Sequence, residues 1–485
     1  MQKNAINLFI FNIVNTLAQF LIVIILSHNL EKSDYATFRQ LFLPFEMIAP
    51  ILGIGLSSSI FYFYSRFTEK SKLLQVCLLL LAIACLLFQI SLNVGIDQLL
   101  SQHLNNPDLK NYLSILGLFS FFSLANTVLY SYFILEDKVK YSILINSLAN
   151  LVLVTCVYIF SVKFPNLSAV IYIRVIIYGV IMLAMLTSSS LFKDKYLSFR
   201  ELKSDCIKVC KGSLPIGLSL FIGALSFQID KLLVSNLSSP ERYAVYINGA
   251  FEVPLIAVIT TSISGASFGL FSVYCKDKNF SAAIDLFRKI IVVSSLIIFP
   301  CFFYLFIEAK AVITVLFGEG YQESYIVFRI YLFLLTIRVI QYGNVLIALG
   351  KSNILLVRSI IELILSLILS IVFFKIFDIN GVALGVVTSV LLWTVPYNLY
   401  IIKKGFNSTI NSIIPFRPII KVVACCLIAT VFCVILHYFI IPIDTKILQL
   451  ILTSSVFFGV YFCSVYFSKF IAIDLKSKYK IKLLW

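Results

Sequence analysis

Apolar runs of helix length follow one another along almost the whole chain, and they constrain it more than any motif. Crossing about 30 Å of hydrocarbon takes roughly 20 residues of helix. Fourteen runs of about that length can be marked, opening with Ala5–Ser27, Phe42–Tyr64 and Leu73–Gly95 and closing with Pro418–Ile441 and Ile447–Phe467. They are continuously apolar and do not alternate with period two, so each must satisfy its backbone internally, as a helix rather than a barrel strand. At 60% hydrophobic and 13% charged residues, the chain has too few polar side chains to coat a water-soluble body of its size. The expected fold is therefore all-α, a polytopic membrane protein of about 14 transmembrane helices. The first run lacks a small-residue cleavage site and reads as a span, not a signal peptide.

Lys and Arg exceed Asp and Glu by 39 to 23, which in a soluble protein would suggest nucleic acid. Here the excess follows topology. Alternate loops collect it: Arg66, Lys70 and Lys72; Lys138 and Lys140; the stretch from Lys193 to Lys211; Lys276 to Lys289; Lys403 to Lys421; and the tail from Lys469. The intervening loops hold isolated cations such as Lys110, Lys163 and Arg242. The positive-inside rule then sets both termini in the cytoplasm and supports an even count of spans, because losing one would invert every later loop. Nucleic-acid binding loses its main support. The eleven cysteines form no CxxC pair, the three histidines have no metal or relay spacing, and Gly350-Lys351-Ser352 lacks the upstream glycine of a phosphate loop. No catalytic residue, metal or cofactor is expected. No outside loop is long enough to fold into a catalytic domain, which disfavours a polysaccharide polymerase.

The chain also repeats itself. Asn12 to Phe38 and Lys211 to Tyr246 each give an apolar helix with scattered polar groups, then Asn-Leu, a short charged loop and Tyr-Ala-x-aromatic. This predicts a six-helix bundle over 1–190, a cytoplasmic amphipathic linker over 191–211, a second six-helix bundle over 212–404, and two further helices with a basic tail over 405–485. In the linker, Leu202, Cys206 and Val209 share a helical face, as in a helix lying in the headgroup layer.

Polar groups inside the spans carry the functional reading, since an ionisable group at mid-bilayer costs about 2.5–3.5 kcal/mol on insertion. Asn4, Asn12, Asn15 and Gln19 form one stripe on the first span; Ser213, Ser219, Ser226, Gln228, Asp230 and Lys231 form its counterpart on the seventh. Depth along the helices suggests three ion pairs: Glu46 with Arg174, Arg338 with Glu362, and Lys231 with Glu252. Arg174, Lys231, Arg329 and Arg338 are cations that an anionic passenger would need. With Asn12, Asn15, Gln19 and Gln228 they make up the candidate substrate cavity. Glu46, Asp230, Glu252 and Glu362 are candidates for proton or sodium coupling.

The segment GSLPIGLSLFIGALSFQIDKLLVSNLSSPERYAVY resembles the start of the second bundle in the polysaccharide and oligosaccharide flippases of the multidrug/oligosaccharidyl-lipid/polysaccharide exporter superfamily. VLFGEGYQES and GVALGVVTSV are similar to later elements of that family. The resemblance implies two bundles related by a pseudo-twofold that open alternately to either side of a bacterial inner membrane. It implies a substrate of undecaprenyl-pyrophosphate-linked oligosaccharide, for O-antigen, capsule or exopolysaccharide, with phospholipid and other glycan-assembly membrane proteins as partners. A drug or metabolite antiporter of the same superfamily would share the architecture.

Overall fold

The computed structural model describes residues 2–163, 165–189, 198–440 and 446–468. Side chains are described from Phe11 on, except at 266, 352–353 and 438–440, so Asn4 and linker residues 191–197 lie outside the described set. The chain forms two compact units. One runs to Tyr246 and includes Ser359–Leu367; the other holds Ile247–Arg358 and the residues from Ile368 on.

The first unit contains α1 (Gln2–Asn29), α2 (Lys32–Leu52), α3 (Leu56–Tyr64), α4 (Lys70–Ser91), α5 (Leu116–Leu135), α6 (Val139–Lys163), α7 (Leu167–Ser188), α8 (Phe199–Leu237) and the start of α9 (Pro240–Gly249). α1 lies along α6, α5 packs between α4 and α7, and α8 runs along α2. A core of Leu73, Val76, Leu81, Val128, Leu129, Tyr132 and Met185 joins α4, α5 and α7.

α2 and α3 are one crossing broken in the middle. Pro50 withholds a helix donor, and Ile54 and Gly55 take left-handed φ of 51° and 64°. The break lets α8 come backbone to backbone: a Cβ on Gly217 would sit 2.9 Å from the Gly55 amide nitrogen, and a Cβ on Gly55 would sit 2.6 Å from the Gly217 nitrogen. One turn away the Ser59 and Ser213 hydroxyls share a buried hydrogen bond of 2.6 Å.

The far end of α8 is tied down as well. Gln40 donates to Ser235 Oγ at 2.7 Å and to Leu104 O at 3.0 Å, and Asn106 donates to Gln40 Oε1 at 2.6 Å. Fixed at both ends, α8 groups with the first unit, which runs to Tyr246. The described part of the linker is the beginning of this same 39-residue helix rather than a separate one. Val209 is buried, and Leu202 and Cys206 pack on the core of the first unit.

The second unit contains α10 (Pro254–Lys276), α11 (Phe280–Ile307), α12 (Ala309–Phe317), α13 (Ser324–Ile337), α14 (Tyr342–Ala348), most of α15 (Ser352–Ser389), α16 (Val395–Phe406), α17 (Phe416–Ile440) and α18 (Lys446–Phe467). Among the described residues thirteen helical stretches are long and apolar enough to cross a bilayer, and one of them, Ile354–Phe406, is 53 residues long. That stretch is a hairpin. Asp378 adopts φ 54°, ψ −141°, after which the chain doubles back. A Cβ on Gly381 would run into Phe373 O, one on Gly385 would meet Ser370 N at 2.5 Å, and Trp393 Nε1 donates to Arg358 O at 3.3 Å. One partner number rises as the other falls, so the two limbs are antiparallel, and counting them separately gives fourteen candidate crossings among the described residues. Gly381 and Gly385, four apart on one helical face, are what permits so close a return.

Candidate functional site

In the first unit a line of side chains runs across three helices. Arg174 of α7 donates through Nη2 to Gln19 Oε1 of α1 at 3.3 Å. Gln19 Nε2 donates to Asn150 Oδ1 of α6 at 3.1 Å, and Asn150 Nδ2 donates back to Asn15 Oδ1 at 2.8 Å. The guanidinium carbon lies 4.5 Å from the ring centre of Phe42, with Phe119 at 5.6 Å and Phe38 at 5.7 Å. No described carboxylate lies within ion-pair distance of Arg174, and its Nε has no hydrogen-bond partner. Aromatic faces and a neutral amide hold this cation in place without cancelling its charge. Asn12, one turn from Asn15, is exposed.

The expected pairing of Glu46 with Arg174 is thus overturned. Glu46 instead accepts from Gln228 Nε2 of α8 at 2.9 Å. Lys231 does not take Glu252 either. Its ammonium is buried 3.5 Å from Asp230 and donates to Phe227 O at 3.1 Å, while the other Asp230 oxygen accepts from Tyr246 at 2.8 Å. Much of the polar stripe on α8 is therefore spent on contacts with α2, α3 and α9. Arg39 sits within α2 and donates to Tyr35 at 3.2 Å.

In the second unit Arg338 forms its ion pair with Glu252, replacing the expected pair with Glu362. Glu362 lies on the 359–367 segment of α15 that groups with the first unit. Arg329 donates to Phe306 O at 2.9 Å and Ile307 O at 3.3 Å, the last carbonyls of α11, so it caps that helix. Gln341 donates to Thr260 O at 3.1 Å, and Asn344 donates to Ser264 O at 3.1 Å, which adds a polar seam between α14 and α10.

Between α17 and α18 lies an apolar groove of about 890 Å³, lined by Cys425, Ile428, Phe432, Gly459 and Val460, with Lys421 at one end. A second feature pins this helix pair to α11. Buried Glu308 accepts from Gln449 Nε2 at 3.0 Å and lies 3.5 Å from His437 Nδ1, and Gln449 Nε2 is 3.2 Å from His437 Nε2.

A family model described as polysaccharide biosynthesis protein matches residues 45–326, more than half of the chain. The chain belongs to the polysaccharide biosynthesis protein family. No curated protein matches it. Among solved structures, this family member is similar to the lipid II flippase MurJ in an inward closed conformation, with TM-score 0.76 and 16% identity over 98% of this chain and all of that one. It also resembles an inward-facing multidrug resistance MATE transporter, with TM-score 0.57 and 16% identity over 81% of this chain and 96% of that one. A MOP superfamily transporter from Pyrococcus furiosus matches with TM-score 0.60 and 17% identity over 84% and 97%. At these identities the likeness speaks to fold alone.

For a member of this family, sequence reasoning missed Asn150, Glu308, His437 and Gln449. Asn150 had a signal, an amide in the middle of a predicted span, but no neighbour to give it meaning. Glu308 sits at the end of a run and reads as a loop acid until α17 and α18 close over it.

Proposed function

We propose that this polysaccharide biosynthesis protein is a flippase that carries an undecaprenyl-pyrophosphate-linked oligosaccharide from the cytoplasmic to the outer leaflet of a bacterial inner membrane by alternating access, with both termini cytoplasmic. The glycan would serve O-antigen, capsule or exopolysaccharide assembly. The observation that carries the reading is Arg174, a cation within a membrane-spanning helix whose described partners are a neutral amide and three aromatic rings. A charge left uncompensated at that depth is costly, and an arriving phosphate offsets the cost with charge-assisted hydrogen bonds, for which Nε is still free. The other expected cations already have acids or carbonyls. The groove between α17 and α18 supports the second half of the reading, because a polyprenyl tail needs an apolar channel and Lys421 at its end suits a phosphate. Asp230, Glu46, Glu252 and Glu362 are the acids available for proton or sodium coupling.

The test is flipping of a fluorescent polyprenyl-pyrophosphate oligosaccharide in proteoliposomes. Loss of one charged hydrogen bond is worth about 1.5–3 kcal/mol, so Arg174→Gln slows flipping about 10- to 100-fold and Arg174→Lys recovers part of the rate. Wild-type flipping by Arg174→Gln refutes the role. Uptake of cationic dyes in the same vesicles would favour the antiporter reading, since an unpaired arginine repels cations.

A further inference from the structure

The line from Arg174 to Asn15 has a direction, and the direction is forced. A guanidinium can only donate. Gln19 must therefore turn Oε1 toward Arg174 and Nε2 toward Asn150. Asn150 in turn offers Oδ1 to Gln19 and Nδ2 to Asn15, and Asn15 is left with its oxygen occupied and its Nδ2 unspent. The arginine thereby fixes the orientation of an amide on another helix, one turn or about 6 Å along α1 from Gln19. Asn15 is half-buried and Asn12 is exposed one turn further on, both within the membrane-crossing stretch Phe11–Asn29, where an amide facing lipid would be costly.

We propose that this ladder sets headgroup specificity: Arg174 holds the phosphate, and Asn15, polarised through Gln19 and Asn150, donates to an oxygen of the sugar that follows it, the acetamido carbonyl of an N-acetylhexosamine being the best acceptor of that class. Asn150 is a positioning residue. The inference rests on the flippase reading above and adds to it a sugar subsite and a reason for the amides.

Isosteric changes test the polarity. In Asn15→Asp the carboxylate still accepts from Asn150, so the ladder survives and the free end becomes an acceptor. In Asn150→Asp the donor to Asn15 is lost, Asn15 turns its amide inward, and its oxygen faces out. Arg174→Lys keeps a donor-only group at the head of the line, whereas Arg174→Gln does not. The full chain in nanodiscs is titrated with undecaprenyl pyrophosphate and with the same lipid carrying one N-acetylglucosamine, and the ratio of the two Kd values is read. One to two hydrogen bonds correspond to roughly a 10-fold preference for the glycosylated lipid in the wild type. The ratio falls to about 1 in Asn15→Asp, Asn150→Asp and Arg174→Gln, and is kept in Arg174→Lys. Ligand-free melting temperatures check that each variant is folded, and if either aspartate variant is not, the two Arg174 variants decide. A wild-type ratio in Asn15→Asp or in Arg174→Gln overturns the ladder and leaves the flippase reading standing, as does a wild type that binds both lipids equally. A wild type that binds neither lipid overturns both.

Discussion

Arg338 and Glu252 show what a single pair contributes. Each is about one-third exposed, so the pair is worth about 1 kcal/mol rather than the several expected of a fully buried one. Arg338→Ala should therefore insert normally and lower the melting temperature of the purified protein slightly, and the exchange Arg338→Glu with Glu252→Arg should restore most of the loss. Glu308 is different because it is almost wholly buried. Gln449→Leu leaves one carboxylate oxygen without its donor, at a cost of about 1–3 kcal/mol, seen as a lower melting temperature that Glu308→Gln in the same background partly recovers. At this scale the identity of the buried polar residues was legible in the sequence and their partners were not. All three depth-matched pairs failed, because depth fixes a residue's height in the bilayer and leaves open which helix it faces.

At the scale of elements, the close crossing of α8 over the α2–α3 break depends on two glycines. Gly217→Val drives a side chain into the Gly55 backbone; overpacking of this kind costs about 1–3 kcal/mol. Reduced yield and a lower melting temperature are expected, whereas Gly223→Ala, which meets open space, should be neutral in the same assay apart from backbone entropy. After Tyr35-Ala36 the first half places Phe45-Glu46 inside α2 ahead of Pro50, whereas after Tyr243-Ala244 the second places Phe251-Glu252 in a non-helical stretch ahead of Pro254, where α10 begins. The spans themselves were legible because apolar run length is a local property. The attachment of α8 to the first unit was not, since it depends on Gln40, Asn106 and Ser213 meeting partners far away in sequence.

For the whole molecule, the groove between α17 and α18 offers the clearest handle. Gly459 lines it and a Cβ there meets nothing within 4 Å. Gly459→Phe should fill the groove without straining the helix. The expected result is a shift in carrier preference toward short prenyl chains, measured by competing long- and short-chain carriers in the proteoliposome assay; an unchanged preference would mean the tail travels elsewhere. The sequence by itself determined a helical membrane protein of fourteen crossings, an internal repeat and a stock of polar groups inside the spans, because hydrophobic run length and composition act segment by segment. Only the tertiary structure decided that Arg174 is held by an amide and aromatic rings rather than by an acid, since neutralising a charge requires a particular neighbour on another helix, and helix neighbours are chosen by packing rather than by position along the chain.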